Sequence, residues 1–207
     1  MKKPVKYIVI VVILVLSLYN AVYFEPLDKV KEEQSTSVFD AKTLATDFMS
    51  NNIETLPAIN VSEFLADITK GVEKYCEQKG KKLGISNDYN FIIDGNATVI
   101  AIEEEDVLVA IDDDSKQQIR IATDFIFGNA IRDGSGLADI GSFQNTMDFN
   151  TISVELNNIV RETIVPPFKQ KVKEGDTLYF KGAVKVNTKS PNLQALKVIP
   201  LIIKFNN

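Results

Sequence analysis

The order of helix and strand signals predicts an α+β protein: an N-terminal membrane helix, a small helical subdomain, then an antiparallel five-stranded barrel carrying one helix. Three observations carry the prediction. Residues 7–24 are one apolar run behind three lysines, residues 39–80 repeat apolar positions at the helical period, and residues 89–205 change to the strand period. A single helical interruption, over about 148–163, divides the strands into three before it and two after it.

The apolar run contains only Ser17 and Asn20 as polar breaks. As a helix its length is about 27 Å, close to the roughly 30 Å of a hydrocarbon core. Secretory signals end in small residues at a cleavage site, but Tyr19 stands two positions before Ala21, where a small side chain is needed. Retention as an anchor in the inner membrane is therefore expected, with a cleaved signal peptide as the alternative. Lys2, Lys3 and Lys6 precede the run, and Glu25 and Asp28 follow it. This charge bias places the C-terminal part outside, in the periplasm, with the lipid bilayer as its partner through residues 7–24. The expected division is 1–24 anchor, 25–38 polar tether, 39–82 helical subdomain and 83–207 barrel.

Composition removes several classes of chemistry. With the three anchor lysines set aside, 20 bases face 28 acids, a charge of −8 on the outer part. Such a field repels phosphate backbones, so no nucleic-acid partner is expected. Histidine is absent, which removes the usual general base and the commonest metal ligand. The single cysteine, Cys76, cannot form an intramolecular disulfide and falls on the apolar side of a helix.

Each element has a local signal. Asp40 is the expected cap of a helix over 39–52, with Leu44, Ala45 and Phe48 on one face. Asn60 followed by Glu63 resembles a capping box. It opens a helix whose stripe is Phe64, Leu65, Ile68, Val72, Tyr75 and Cys76, stopped by Gly80. A first strand covers 89–103, with a bend expected at 94–96. Strands at 107–112 and 118–123 follow, then an irregular Gly-rich stretch over 127–143. The next helix should bury Ile152, Leu156, Ile159 and Val160 and end at Pro166 and Pro167. In the strand after Gly175, Leu178, Phe180, Val184 and Val186 face in, while Tyr179, Lys181 and Lys185 face out. Pro200 restricts the last strand, 195–205, to an edge or a bulge. Strand–strand–strand–helix–strand–strand is the succession of an OB-like barrel.

Leu83 to Ser86 leading to Tyr89 and Asp94-Gly95, residues 128–133, and Phe149-Asn150 through Leu156-Asn157 resemble the bacterial predicted periplasmic lipoproteins of domain of unknown function 2291. The resemblance covers nearly everything after Phe39, and residues 132–133 are its most specific piece. It implies a helical subdomain joined to an OB-like barrel. It also implies an accessory to sugar ABC-transport systems, with a transporter or solute-binding protein as partner. Two departures stand out: the lipoprotein cysteine is missing, and Gln144-Asn145 stands where members tend to show Asn-Gln.

Arg132 and Asp133, with Gln144 and Asn145, are the candidate binding residues. A guanidinium in an irregular loop can grip a carboxylate or phosphate, or it can tie the loop to a neighbouring acid or carbonyl. The acidic turns 103–106 and 112–114 lack the Gly and distal Glu of a calcium loop, and Ser135 has no base partner. No cofactor, metal or catalytic residue is expected. A non-enzymatic binding or accessory module comes first, a structural or assembly protein of the envelope second, and an enzyme last.

Overall fold

The computed structural model describes residues 39–206 except 114 and 144, together with positions 5, 7, 10–13, 15 and 16. Those N-terminal positions are helical, and their apolar side chains are exposed. Among the described residues no helix is long and apolar enough to cross a membrane. The remainder of the expected 7–24 anchor and the 25–38 tether lie outside the described residues. Residues 1–39 and 40–207 form separate compact units.

Helix α1 (Ala41–Asp47) begins where Asp40 accepts hydrogen bonds from the Lys42 and Thr43 amides, and a π-turn (Phe48–Asn52) continues it. Ala41, Ala45 and Phe48 are its buried positions, while Leu44 is half-buried. A two-residue strand, β1 (Ile59–Asn60), leads into α2 (Val61–Ile68), and the Asn60 side chain accepts from the Ser62 amide at 3.0 Å. The expected single helix over the second stripe is two: α2 stops, and α3 (Val72–Lys79) restarts after Gly71. The stripe survives the break, because Phe64, Leu65, Ile68, Tyr75 and Cys76 are all buried. Gly71 supplies the extended backbone that lets the chain turn between them.

Five strands follow: β2 (Asp88–Ile102), β3 (Asp106–Ile111), β4 (Gln118–Ala122), β5 (Thr177–Asn187) and β6 (Lys197–Phe205). They pair in the circular order β2-β3-β4-β6-β5 and back to β2. Only β4–β6 is parallel within that ring. Strand β2 closes it, pairing with β5 from Asp88↔Asn187 to Thr98↔Thr177 and with β3 beyond. This is an OB barrel.

Residues 94–96 do not bend out of the ladder, as the sequence suggests; they pair straight through it. Gly95 is there for proximity, since a Cβ on it would stand 2.5 Å from Val61 Cγ1. Pro200 does sit at a bulge, opposite Gly182, where the β5–β6 register shifts. A Cβ on Gly182 would lie 2.6 Å from the Ile199 carbonyl oxygen.

The barrel core is Val, Ile and Phe from all five strands, and α2 and α3 share it. Phe64, Tyr75 and Phe91 pack with ring centroids 5.1–6.0 Å apart. Burial pushes the Cys76 thiol up to about 11, so it stays protonated and inert at neutral pH.

A second layer covers part of the outside. Helix α4 (Ala130–Ser135) lies on β2 and β5, with Gly134 against the backbone of Phe91 and the Ile92 side chain. Helix α5 (Thr146–Ile159) packs on α4 and α1. Contrary to expectation, Pro166 and Pro167 do not end the helical run. A π-turn (Val160–Ile164) resets the hydrogen-bond ladder, and α6 (Val165–Lys171) starts with both prolines in its first turn. There the missing N–H groups would have had no partner in any case.

This outer layer also corrects the reading of β5. Lys181 does point out of the barrel but is only 5% exposed. Its ammonium donates to the carbonyls of Ile53, Glu54 and Leu56 at 3.3, 2.9 and 2.9 Å, just past the π-turn that ends α1. A cation at a helix C-terminus meets the negative end of its dipole.

Candidate functional site

The stretch expected to be irregular contains α4, and Arg132 lies within that helix at 2% exposure. Gly134 and Ser135 are poor helix formers, which hid so short a helix in the sequence. Arg132 Nε donates to Asp133 Oδ1 at 2.7 Å, and Nη1 donates to the Phe149 carbonyl and Asn150 Oδ1, both at 3.1 Å. Its guanidinium stacks 3.7 Å from the centre of the Phe149 ring. The Asp133 carboxylate also accepts from the Asn129 amide. Arg132 and Asp133 therefore tie α4 to α5.

Asn145 caps α5, accepting from the Asp148 amide and donating to the Asp148 carboxylate, both at 2.8 Å. It belongs to the helix start, and Gln144 lies outside the described residues. The acidic turns are spent on local bonds. Arg120 reaches Glu103 and Asp106 at 2.6 and 2.7 Å, Asp113 accepts from the Ser115 amide, and Asp112 from the Thr98 hydroxyl. Among the described residues no cluster of His, Cys, Asp and Glu could hold a metal.

The distinctive surface lies just before α4. Phe125 has φ = 51°, a left-handed conformation that costs a bulky L-residue strain. Phe125 and Phe127 are 59% and 70% exposed, while Ile126 between them is buried. The loop is held from below. Arg161 donates to the Ile126 carbonyl, Asn157 Nδ2 to the Gly128 carbonyl at 2.8 Å, and the Phe125 amide to Asp124 Oδ1 at 2.7 Å. The loop that carries the two exposed rings is thus held by partly buried ties from Asn157 and Arg161 and by an exposed local bond to Asp124.

Phe127 divides two concavities. One is a groove of about 330 Å³, with Ala183, Leu196 and Ile199 among its apolar lining and Lys185 and Lys197 among its polar lining; Phe125 borders it too. The other is an open cavity of about 430 Å³ whose walls combine Phe127 and Val154 with the side chains of Asn129, Arg132, Asn150, Ser153, Asn157 and Arg161. Sequence reasoning missed Ser153, Asn157 and Arg161. Their spacing of four is the signal that could have found them: a polar stripe running beside the apolar one along α5 and into the π-turn that follows it. The buried face is rotated accordingly, to Phe149, Ile152, Ser153, Leu156, Asn157 and Val160, leaving Ile159 half-buried.

The fold is an OB barrel with a helical layer over β2 and β5 and an exposed aromatic loop at that layer's edge. The chain belongs to the family described as predicted periplasmic lipoprotein, domain of unknown function 2291, whose sequence profile matches residues 11–204. Among solved structures it is similar to an OB-fold protein from Thermotoga maritima. The two share 24% identity with a TM-score of 0.72, over 82% of this chain and all of that one. That likeness concerns the fold. No curated protein matches. Within these 207 residues the only cysteine is Cys76, buried in α3, so it offers no attachment point for lipid.

Proposed function

We propose that this protein is a membrane-tethered, extracytoplasmic accessory module that docks a partner protein through Phe125 and Phe127 and catalyses no reaction. The strained, braced loop carries the reading. A φ of 51° at phenylalanine costs about 1–3 kcal/mol, which persists only where surrounding structure enforces it. Exposed aromatic rings beside an apolar groove are the chemistry of interface anchors. Lys185 and Lys197 at the groove are paired within the chain, with Asp88 at 3.7 Å and with Glu105 and Asp106 at 3.9 and 3.8 Å, so what the groove offers a partner is chiefly its apolar surface. A transporter or its solute-binding protein is the partner class, in keeping with the resemblance to a family linked with sugar transport. Nucleic acid is disfavoured by the overall charge of −5, by the burial of Lys181, and by the Tyr179 hydroxyl being tied to Asp94 at 2.9 Å.

The double substitution Phe125→Asn, Phe127→Ser tests this. Asn adopts the left-handed region readily, so the loop keeps its path. The melting temperature should hold or rise, while capture of the solute-binding protein from solubilised envelope should be lost. Capture equal to wild type would overturn the proposal.

The anchor at residues 7–24 is part of the same proposal. It is supported by the apolar run and by the exposed side chains of its described helical positions, Val11, Ile13 and Val15 among them. Sequencing the mature N-terminus should recover the residues before Tyr7; a terminus near Ala21 or later would contradict it.

A further inference from the structure

Past Pro200, strand β6 has a strand partner on one side only. Its parallel pairing with β4 covers Arg120↔Lys197 and Ile121↔Val198 and stops there. The Arg120 amide donates to the Leu196 carbonyl, so the β6 donors of that ladder fall at residues 198 and 200. Residue 200 is proline and has no N–H to give. On the other side β5 continues to Phe205.

The Asn206 amide donates to the Thr177 carbonyl at 2.9 Å, which fixes the alternation of the β5–β6 ladder. Lys204 faces β5, whereas the N–H and C=O groups of Ile203 and Phe205 point away from it. Among the described residues those outward groups have no hydrogen-bond partner. We propose that this edge takes up an extended segment of a partner protein as an added strand. The site shares no residue with the surface around Phe125 and Phe127, and the proposal does not depend on docking there.

The space beside the edge has room for such a segment. A groove of about 300 Å³ runs between β6 and the helical run beside it, with Ile164, Pro167 and Phe168 on one wall and Leu201, Ile203 and Phe205 on the other. The helix covers the edge in part but cannot answer it, because its own backbone groups are spent within the helix. Edge strands are commonly blunted by charge, yet the one charge on residues 201–205, Lys204, is held by Glu54 at 2.9 Å. Unanswered backbone donors and acceptors along an apolar groove are the features by which an extended peptide is recognised, through main-chain bonds and alternate side chains.

Charge adds a preference. The Phe168 and Phe205 rings lie 6.2 Å apart, so Lys171, one turn beyond Phe168, stands at the Phe205 end of the groove. Lys171 is exposed and makes no hydrogen bond or ion pair among the described residues, and no carboxylate lines the groove. An acidic residue at one end of the added segment complements it.

Titration of the full chain in detergent tests the inference. The probes are two capped peptides of alternating valine and threonine, one with aspartate at its first position and one with aspartate at its last, since the added strand can run either way. The same peptides with lysine in place of aspartate are the controls. At least one aspartate peptide should bind about threefold or more tighter than its lysine control, and Lys171→Gln should remove that difference without moving the melting temperature. Amide exchange read by nuclear magnetic resonance supplies the specific signature. Bound peptide should slow exchange at Ile203 and Phe205 about tenfold or more, while Lys204, already bonded to β5, changes little. Four results would overturn the proposal: no binding by either aspartate peptide, binding without protection at Ile203 and Phe205, an aspartate preference that survives in Lys171→Gln, or self-association that protects those amides before any peptide is added.

Discussion

Replacing Arg132 with alanine is expected to lower the unfolding free energy by about 3–5 kcal/mol, because it strands the buried Asp133 carboxylate beneath α5. Arg132 is one of the largest fully buried side chains. It joins an ion pair, two hydrogen bonds to α5 and the stack on Phe149 in one group. For a domain of this size the loss corresponds to a fall in melting temperature of about 10 °C. Arg132→Lys should recover little of it, since an ammonium cannot reproduce the fork or the stack. Thermal unfolding of both variants beside wild type checks this, and a change under about 1 kcal/mol in Arg132→Ala would show that the tie is not structural.

Lys181→Met is the second large effect. The substitution keeps the apolar stem against β5 but removes the ammonium that three carbonyls share. Carbonyls left buried and unpaired cost about 1–3 kcal/mol each, reduced here where water can reach Glu54 and Leu56. A total of about 2–4 kcal/mol is expected. The loss should be local as well as global. Hydrogen exchange should quicken over α1 and the residues after it, while amides in the β2–β5 ladder keep their protection relative to the global stability. Uniform loss across the domain, or none, would contradict the capping role.

These two residues show what the sequence makes legible and what it hides. Strand order, and with it the barrel, can be read because β-period alternation and the intervening helix are both local signals. The alternation of β5 is right even at Lys181, which does face outward. What cannot be read is that α1 and its following loop cover that position, a contact spanning well over one hundred residues of sequence. Arg132-Asp133 is recognisable as a pair of interest, but its helix is too short and too glycine-rich to announce itself. The polar stripe Ser153-Asn157-Arg161 looks like a solvated face until α4 and residues 126–129 fold over it. Nothing in the sequence singles out Phe125, and residue 127 reads only as the start of the Gly-rich stretch. Their exposure goes with the left-handed backbone at Phe125 and with the ties from Asn157 of α5 and Arg161 of the π-turn after it. Pro166 and Pro167 mislead for a different reason, since a π-turn converts a helix stop into a helix start.

The central claim is that the ring at position 127 touches a partner protein at the membrane. Site-specific photo-crosslinking tests it most directly: a photoreactive phenylalanine analogue at position 127 of the full chain, with the same analogue at the fully exposed Ile85 as the control. The account predicts one discrete adduct from position 127, identified by mass spectrometry as a transporter subunit or solute-binding protein, and none from position 85. No protein adduct from position 127, or the same adducts from both positions, would contradict it.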